Sequence, residues 1–445
     1  MSAMTTMFRI LAAWLLLALP AQAIEVQKVV SAKGVEAWLV QDPSLPIVAL
    51  EFAARGGGLA DPAGKEGLAR LTAAMLDEGA GELDAQAFQE RLAELSVGMS
   101  FEAGMESLSG GFRSRTATFD EAVGLMKLAL TRPRFDPEPL ARVRDSLVNE
   151  IRRNDRQPRN LSGRLFWELA FPGHPYARPR NGSEASLAAI TPADMRGYLE
   201  GRLARGNLVI GVVGDITPAR LAVALDGLFG DLPAAAAPVA VAEVAPATQG
   251  DVVVVERPGP QANITFGHAG LKRKDPDYFA ATILAEILGG GFGSRLTEEV
   301  REKRGLAYGI GVGLVPLEAS ALVLGSTATD NAKALETIEI IRREWARLAE
   351  AGPSPEEVES AKASVLGGFW LRLDSARRIA GMLVSVQLDD LGIDYPTRRA
   401  SLIEQVTMED LRRVARRLFD PKALSFVVVG TPERVQPTRL APGRS

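Results

Sequence analysis

Two rhythms alternate along this chain. Short stretches crowded with β-branched and apolar residues lie between turn formers, and longer stretches repeat apolar positions every three or four residues. Val35–Val40 and Ile47–Ala54 read as strands on either side of the turn Asp42-Pro43-Ser44. Lys65–Asp77 and Asp84–Leu95 read as helices, Val97–Ala103 and Ser107–Arg113 as a second strand pair, and Phe119 to Glu168 as long helices. The order then recurs. Strands are predicted at Val252–Val255 and Ala262–Phe266, helices at Asp277–Leu288 and Arg295–Lys303, strands near Tyr308–Val312 and Ala321–Ser326, and helices from Asn331 to Leu388. Strand pairs separated by runs of helices predict an α+β fold, with mostly antiparallel sheets packed by helices.

The recurrence extends to details. I-T-P-A-D-M and V-T-M-E-D-L each open a helix that leads into a strand ending in glycine, and Gly214 follows Thr191 at the same spacing, 23 positions, as Gly430 follows Thr407. Thr191 and Thr407 are N-caps with Asp194 and Asp410 at the third helical position. Asp136-Pro137 and Ser354-Pro355 each start a long helix with a cap and a proline at its first position. The simplest account is two domains of one fold arising by duplication; the alternative is chance resemblance of two generic helix–strand units. Residues 232–250, rich in Ala, Pro and Val and nearly uncharged, read as the linker between domains at 24–231 and 251–445.

Residues 1–23 stand apart. Arg9, an apolar run from Ile10 to Leu19, Pro20 and then Ala21-Gln22-Ala23 read as a secretory signal peptide with a small-residue cleavage site. The run is too short to span a bilayer, which takes about 20 helical residues; the alternative is an uncleaved anchor. The expectation is export to a bacterial periplasm, with no membrane association after cleavage. The 445 residues contain no cysteine, which excludes disulfides, a Cys nucleophile and thiolate metal sites. The net charge of −4 argues against nucleic acid as a partner, because phosphate backbones reward basic surfaces.

Candidate chemistry starts at Gly67-Leu68-Ala69-Arg70-Leu71-Thr72-Ala73-Ala74-Met75. Positions 70, 73 and 74 share one helical face, so side chains there converge. The stretch resembles the active-site helix of the pitrilysin/insulinase-like, inverted-motif zinc peptidases, in which H-x-x-E-H supplies two ligands and a base. The resemblance places Arg70 at the first His, Ala73 at the Glu and Ala74 at the second His. It also implies that Glu150, 76 positions after Ala74, is the one metal ligand that survives. Arginine offers only N–H donors and alanine offers nothing, so these residues cannot hold zinc or activate water. The resemblance therefore implies a degenerate site with no metal in this chain. Arg70 and Glu150 are expected to pair where the ion would have been; the alternative is a solvated Glu150 with Arg70 pointing elsewhere. The two histidines, His174 and His268, lack a metal-like neighbour and read as structural or surface residues.

The second half departs less from the family. Arg301-Glu302-Lys303-Arg304-Gly305-Leu306-Ala307-Tyr308, behind the glycine-rich Leu288–Leu296, resembles the family's C-terminal domain, where an Arg and a Tyr seven positions later reach substrate bound at the zinc. Arg301 and Tyr308 match that pair; the alternative is an ion-paired helix arginine and a half-buried tyrosine. The glycine-rich turn lacks the ending of a phosphate loop and follows a helix, so its glycines serve packing or peptide approach. The resemblance runs from about Val26 to Thr431. It implies a non-catalytic subunit of a heterodimeric zinc metallopeptidase, whose partner is a zinc-binding homologous chain and whose substrate is a peptide, held partly by strand addition. The alternative it leaves open is a peptide-binding or assembly protein of the same fold.

Overall fold

The computed structural model describes residues 25–441; the signal-peptide reading of residues 1–23 lies outside them. Eleven strands form two sheets. The first half contributes β1 (Gln27–Val30), β2 (Glu36–Gln41), β3 (Ile47–Arg55), β4 (Gly98–Ala103), β5 (Ser107–Arg115) and β6 (Leu208–Gly214). The second contributes β7 (Val252–Glu256), β8 (Gln261–Ala269), β9 (Ala307–Pro316), β10 (Ala321–Asp330) and β11 (Ser425–Gly430). The orders are β1-β2-β6-β3-β5-β4 and β7-β11-β8-β10-β9. In each sheet one pair is parallel, β2 with β6 and β7 with β11, and the pairs that follow are antiparallel. Apart from β1 the two topologies coincide strand for strand, in keeping with the duplicated arrangement.

Eight helices belong to the first half: α1 (Leu68–Met75), α2 (Ala85–Leu95), α3 (Phe119–Thr131), α4 (Pro137–Arg156), α5 (Pro158–Ala170), α6 (Glu184–Ala189), α7 (Pro192–Arg202) and α8 (Pro218–Phe229). Six follow in the second: α9 (Tyr278–Ala285), α10 (Ala334–Ala351), α11 (Pro355–Leu371), α12 (Ala376–Leu388), α13 (Tyr395–Glu404) and α14 (Met408–Leu418). Thr191 and Thr407 form reciprocal capping boxes with Asp194 and Asp410, as the spacing predicts. Residues 232–248 carry no regular secondary structure. The sequence pattern misses β1, α6, α8 and α13. It also extends a regular helix to Leu288 and another over Arg295–Lys303, whereas the structure has π-helical turns at Glu286–Gly290 and Thr297–Glu302, with Gly289 out of helical geometry. A Cβ at Gly289 would stand 2.8 Å from the Val312 side chain, so the glycine lets this turn press onto β9.

Each sheet buries one face against its own helices, around Phe52, Phe112 and Phe229 in the first half and Phe266, Trp345 and Phe426 in the second. The opposite faces are covered by exchange. α5 crosses to pack on β8 and β11, setting Leu165, Phe166 and Leu169 against Val253, Val427 and Val429. α12 crosses the other way onto β3 and β6, setting Ala380 and Leu383 against Trp38 and Val213. The approach is close: a Cβ at Gly211 would lie 2.4 Å from the Ala380 carbonyl oxygen. Equivalent hairpin tips also meet. Tyr176 Oη donates to Glu106 Oε1 at 2.6 Å and accepts from the Ala319 amide at 2.9 Å, while the Glu318 amide donates to the same Glu106 oxygen at 2.8 Å. Exchanged apolar helices and this buried clasp tie the two halves together.

Candidate functional site

The helix that would carry a metal is short and enclosed. α1 starts where Asp61 accepts hydrogen bonds from the amides of Gly67 and Ala69, at 2.7 and 2.9 Å. These are backbone donors that a helix start leaves free. Burial outweighs them and pushes the Asp61 carboxyl up to about 6. α1 lies against α4, which brings Arg70 to Glu150. Arg70 Nη2 donates to both carboxylate oxygens, at 3.0 and 2.9 Å, and each side chain is about one-third exposed. Arg70 Nε is buried without a hydrogen-bond partner.

In front of this pair is a cavity of about 350 Å³, lined by Ala73, Ala74, Leu147 and the edge strand β4. Its fourth side comes from the other half of the molecule. Arg377, at the start of crossing helix α12, donates through Nε to Glu51 Oε1 at 2.8 Å and through Nη2 to Ser100 Oγ. Burial raises the Glu51 carboxyl above its usual range, and the Arg377 guanidinium offsets part of that. Where a zinc peptidase needs neutral or anionic donors, this site presents two guanidiniums, two methyl groups and carboxylates already paired. The residues do not fit zinc. Among the described residues, no group of three or more His, Cys, Asp or Glu side chains could hold a metal ion.

Neither histidine belongs to this site. His268 is buried in the second core, accepts from Trp345 Nε1 at 2.9 Å, and has Nδ1 2.8 Å from the Ala269 carbonyl oxygen. Burial pushes its pKa down to about 4, so it is a neutral core residue. His174 bridges the Ala242 carbonyl and the Tyr176 amide.

Arg301 and Tyr308 lie together at the surface. Arg301 leaves the π-helical turn with its guanidinium 5.3 Å from the centre of the Tyr308 ring and 5.2 Å from that of Phe292. Gly305, at φ 57°, reverses the chain between them; its amide bonds the Arg301 carbonyl and the Leu306 amide bonds that of Val300. Tyr308 is 89% exposed and Phe292 79%. Among the described residues, only Glu302 is ion-paired with Arg301, at 3.3 Å. A cation held between two solvated rings is preorganised as a donor. The sequence reading missed Phe292, Glu51 and Arg377. Phe292 carried a signal, being the one bulky residue inside the glycine run. Arg377 and Glu51 carried none, because only the helix exchange brings them together.

An α1 face that cannot hold zinc, Arg70 on it paired with Glu150, and a duplicated sheet topology fit the class of a zinc-peptidase-like fold without a zinc site. Residues 189–365 match the family model described as "Peptidase M16 inactive domain". The chain is 22% identical over 392 residues to the non-peptidase homolog YmxG of Helicobacter pylori, covering 88% of this chain and 90% of that protein. It is 27% identical over 304 residues to an uncharacterized zinc protease of Mycobacterium tuberculosis, covering 67% and 69%. Among solved structures, the peptidase M16 inactive domain from Pseudomonas fluorescens superposes with a TM-score of 0.86 at 26% identity, covering 93% of this chain and 99% of that one. The chain is thus similar to M16 peptidase homologues in fold, and over residues 189–365 it carries the pattern of their inactive domain.

Proposed function

We propose that this chain is the non-catalytic partner of a zinc-bearing homologue, and that it completes the partner's active site with Arg301 and Tyr308. One observation carries the reading: the pair is held together and open to solvent, while the chain's own metal face is closed by Arg70 and Glu150. Peptide hydrolysis builds negative charge on the carbonyl oxygen, and an aimed guanidinium or phenol O–H stabilises it. Zinc and the water-activating base come from the partner. This chain contributes donors, and its edge strands β4 and β9 offer backbone groups to an extended peptide. Export to the periplasm by residues 1–23 is part of the same proposal.

The test is co-purification with an H-x-x-E-H homologue from the native host, followed by peptidase assays of each chain and of the mixture. Activity is expected only in the mixture. Arg301→Ala or Tyr308→Phe is expected to lower it by about 10²-fold, the scale of losing one oxyanion donor. Activity in the mixture that survives both substitutions, or proteolysis by this chain alone, overturns the proposal. Stable complex formation without hydrolysis supports an assembly role instead.

A further inference from the structure

A cavity of about 800 Å³ opens between the crossing helix α5 and the part of the second sheet that α5 leaves uncovered, β9 and β10. Its counterpart in the first half is the small cavity that Arg377 closes. The correspondence can be followed residue by residue. In the first sheet one row across the strands reads Gly211, Glu51, Gly111, Ser100. In the second the matching row reads Val427, Thr265, Ser326, Gly311. Arg377 is the second residue of α12, and Arg159 is the second residue of α5. Arg377 finds Glu51 and Ser100 on its row. Arg159 faces a row with a threonine, a serine and a glycine in the corresponding places and no carboxylate.

The cleft is electropositive as a result. Arg159, Arg164, Arg178 and Arg180 line it, against Asp155 as the one acidic lining residue. Arg164 is committed to Glu168 and Asp155, and Arg178 donates to the Asp61 carbonyl. Among the described residues, the side chains of Arg159 and Arg180 have no hydrogen-bond or ion-pair partner. Arg180 is fixed by stacking, its guanidinium 4.5 Å from the centre of the Trp167 ring. Enclosure by protein lowers its pKa from the ordinary value, yet solvent still reaches it through the mouth of the cleft. Two unpaired, partly preorganised guanidiniums at the edge of an open cleft favour carboxylates with bidentate geometry. Its volume of about 800 Å³ exceeds what one small anion would fill.

We propose that this cleft binds an acidic, extended stretch of polypeptide, with Arg159 taking a carboxylate at the place Glu51 fills in the other half and Arg180 taking a second. The test uses the purified full-length chain and hexaglutamate, followed by calorimetry and by tryptophan fluorescence, with Trp167→Phe assigning the optical signal. Hexaglutamate is expected to bind and hexalysine not to, with affinity falling as salt rises. Arg159→Ala and Arg180→Ala, both at solvent-reached positions, are each expected to weaken binding about tenfold or more. Circular dichroism checks that both fold. No binding of hexaglutamate at low salt, or unchanged binding by the double variant, overturns the proposal. Saturation by inorganic phosphate with no competition from hexaglutamate also overturns it, in favour of a small-anion site. The measurement needs no partner chain, so its outcome is separate from that of the mixing experiment.

Discussion

The two halves share a sheet topology and differ in how they treat their polar groups. Around the first sheet the guanidiniums facing α1 and β3 are ion-paired within the chain: Arg70 with Glu150, and Arg377 of the crossing helix α12 with Glu51. Around the second sheet the corresponding or neighbouring donors are less committed: Arg301, paired only with the adjacent Glu302 among the described residues, sits beside an exposed Tyr308, and Arg159, on the crossing helix α5, lies opposite an uncharged row. Without Arg70, Glu150 would be an uncompensated, partly buried charge, which is costly. The guanidinium at position 70 resolves that cost locally. Donors that stay open on a folded surface suit interaction with another molecule.

The contrast is tested most severely by restoring the ligands. Arg70→His, Ala73→Glu and Ala74→His together rebuild H-x-x-E-H opposite Glu150. If the first half is a closed metal site on an intact scaffold, the triple variant is expected to retain about one zinc per chain after dialysis and the parent none. A folded variant that holds no zinc would show that the scaffold has drifted as well as the ligands. Atomic absorption on dialysed protein gives the answer.

Acid separates the halves next. Asp61, capping α1, has its pKa raised from 3.8 to about 6. Its protonation therefore favours the fold, and the first half gains stability as pH falls from about 6 towards 3.8. His268, in the second core, has its pKa lowered from 6.5 to about 4, so the unfolded chain binds the proton better. The second half accordingly loses stability as pH falls from about 6.5 towards 4. Each contribution is on the order of 3 kcal/mol, and the two oppose. Asp61→Asn should steepen the acid-induced loss, and His268→Gln should reverse it. Denaturant midpoints between pH 7 and pH 4 measure both, and parallel pH profiles for the two variants would contradict the assignment.

Much of this architecture was legible in local sequence. Thr191 and Thr407 mark equivalent helices because capping is decided within one turn. That Arg70 and Ala73 cannot hold zinc was legible because coordination depends on residue type. The pairing of Arg70 with Glu150 was also within reach, since both lie on helices whose spacing fits a known constellation. Helix exchange was not legible. Leu165 and Leu383 have the periodicity of any buried helix, and nothing in it states which sheet they cover. Arg377 therefore read as an ordinary surface charge, and its contact with Glu51, 326 positions away, is purely tertiary. The π-helical turn at Glu286–Gly290 escaped because Gly289 presses against β9, a contact only the tertiary fold reveals.

The smallest effect isolates a single pair of equivalent arginines. Arg377→Ala removes the partner of Glu51, whose side chain is 14% exposed and whose carboxyl is already raised by burial. The carboxylate must then stay charged in a desolvated place or take up a proton, and the expected cost is about 2 kcal/mol. Arg159→Ala removes the equivalent residue of α5, which has no partner to orphan, and is expected to change stability by less than about 0.5 kcal/mol. Both substitutions delete the same side chain at the same helix position, so propensity and unfolded-state effects largely cancel in the difference. Glu51→Gln on top of Arg377→Ala should recover part of the loss, because the amide needs no counter-charge. Equal losses for the two arginines, measured by urea denaturation, would mean that Arg159 is already satisfied within the chain, and the acidic-peptide cleft would lose its physical basis.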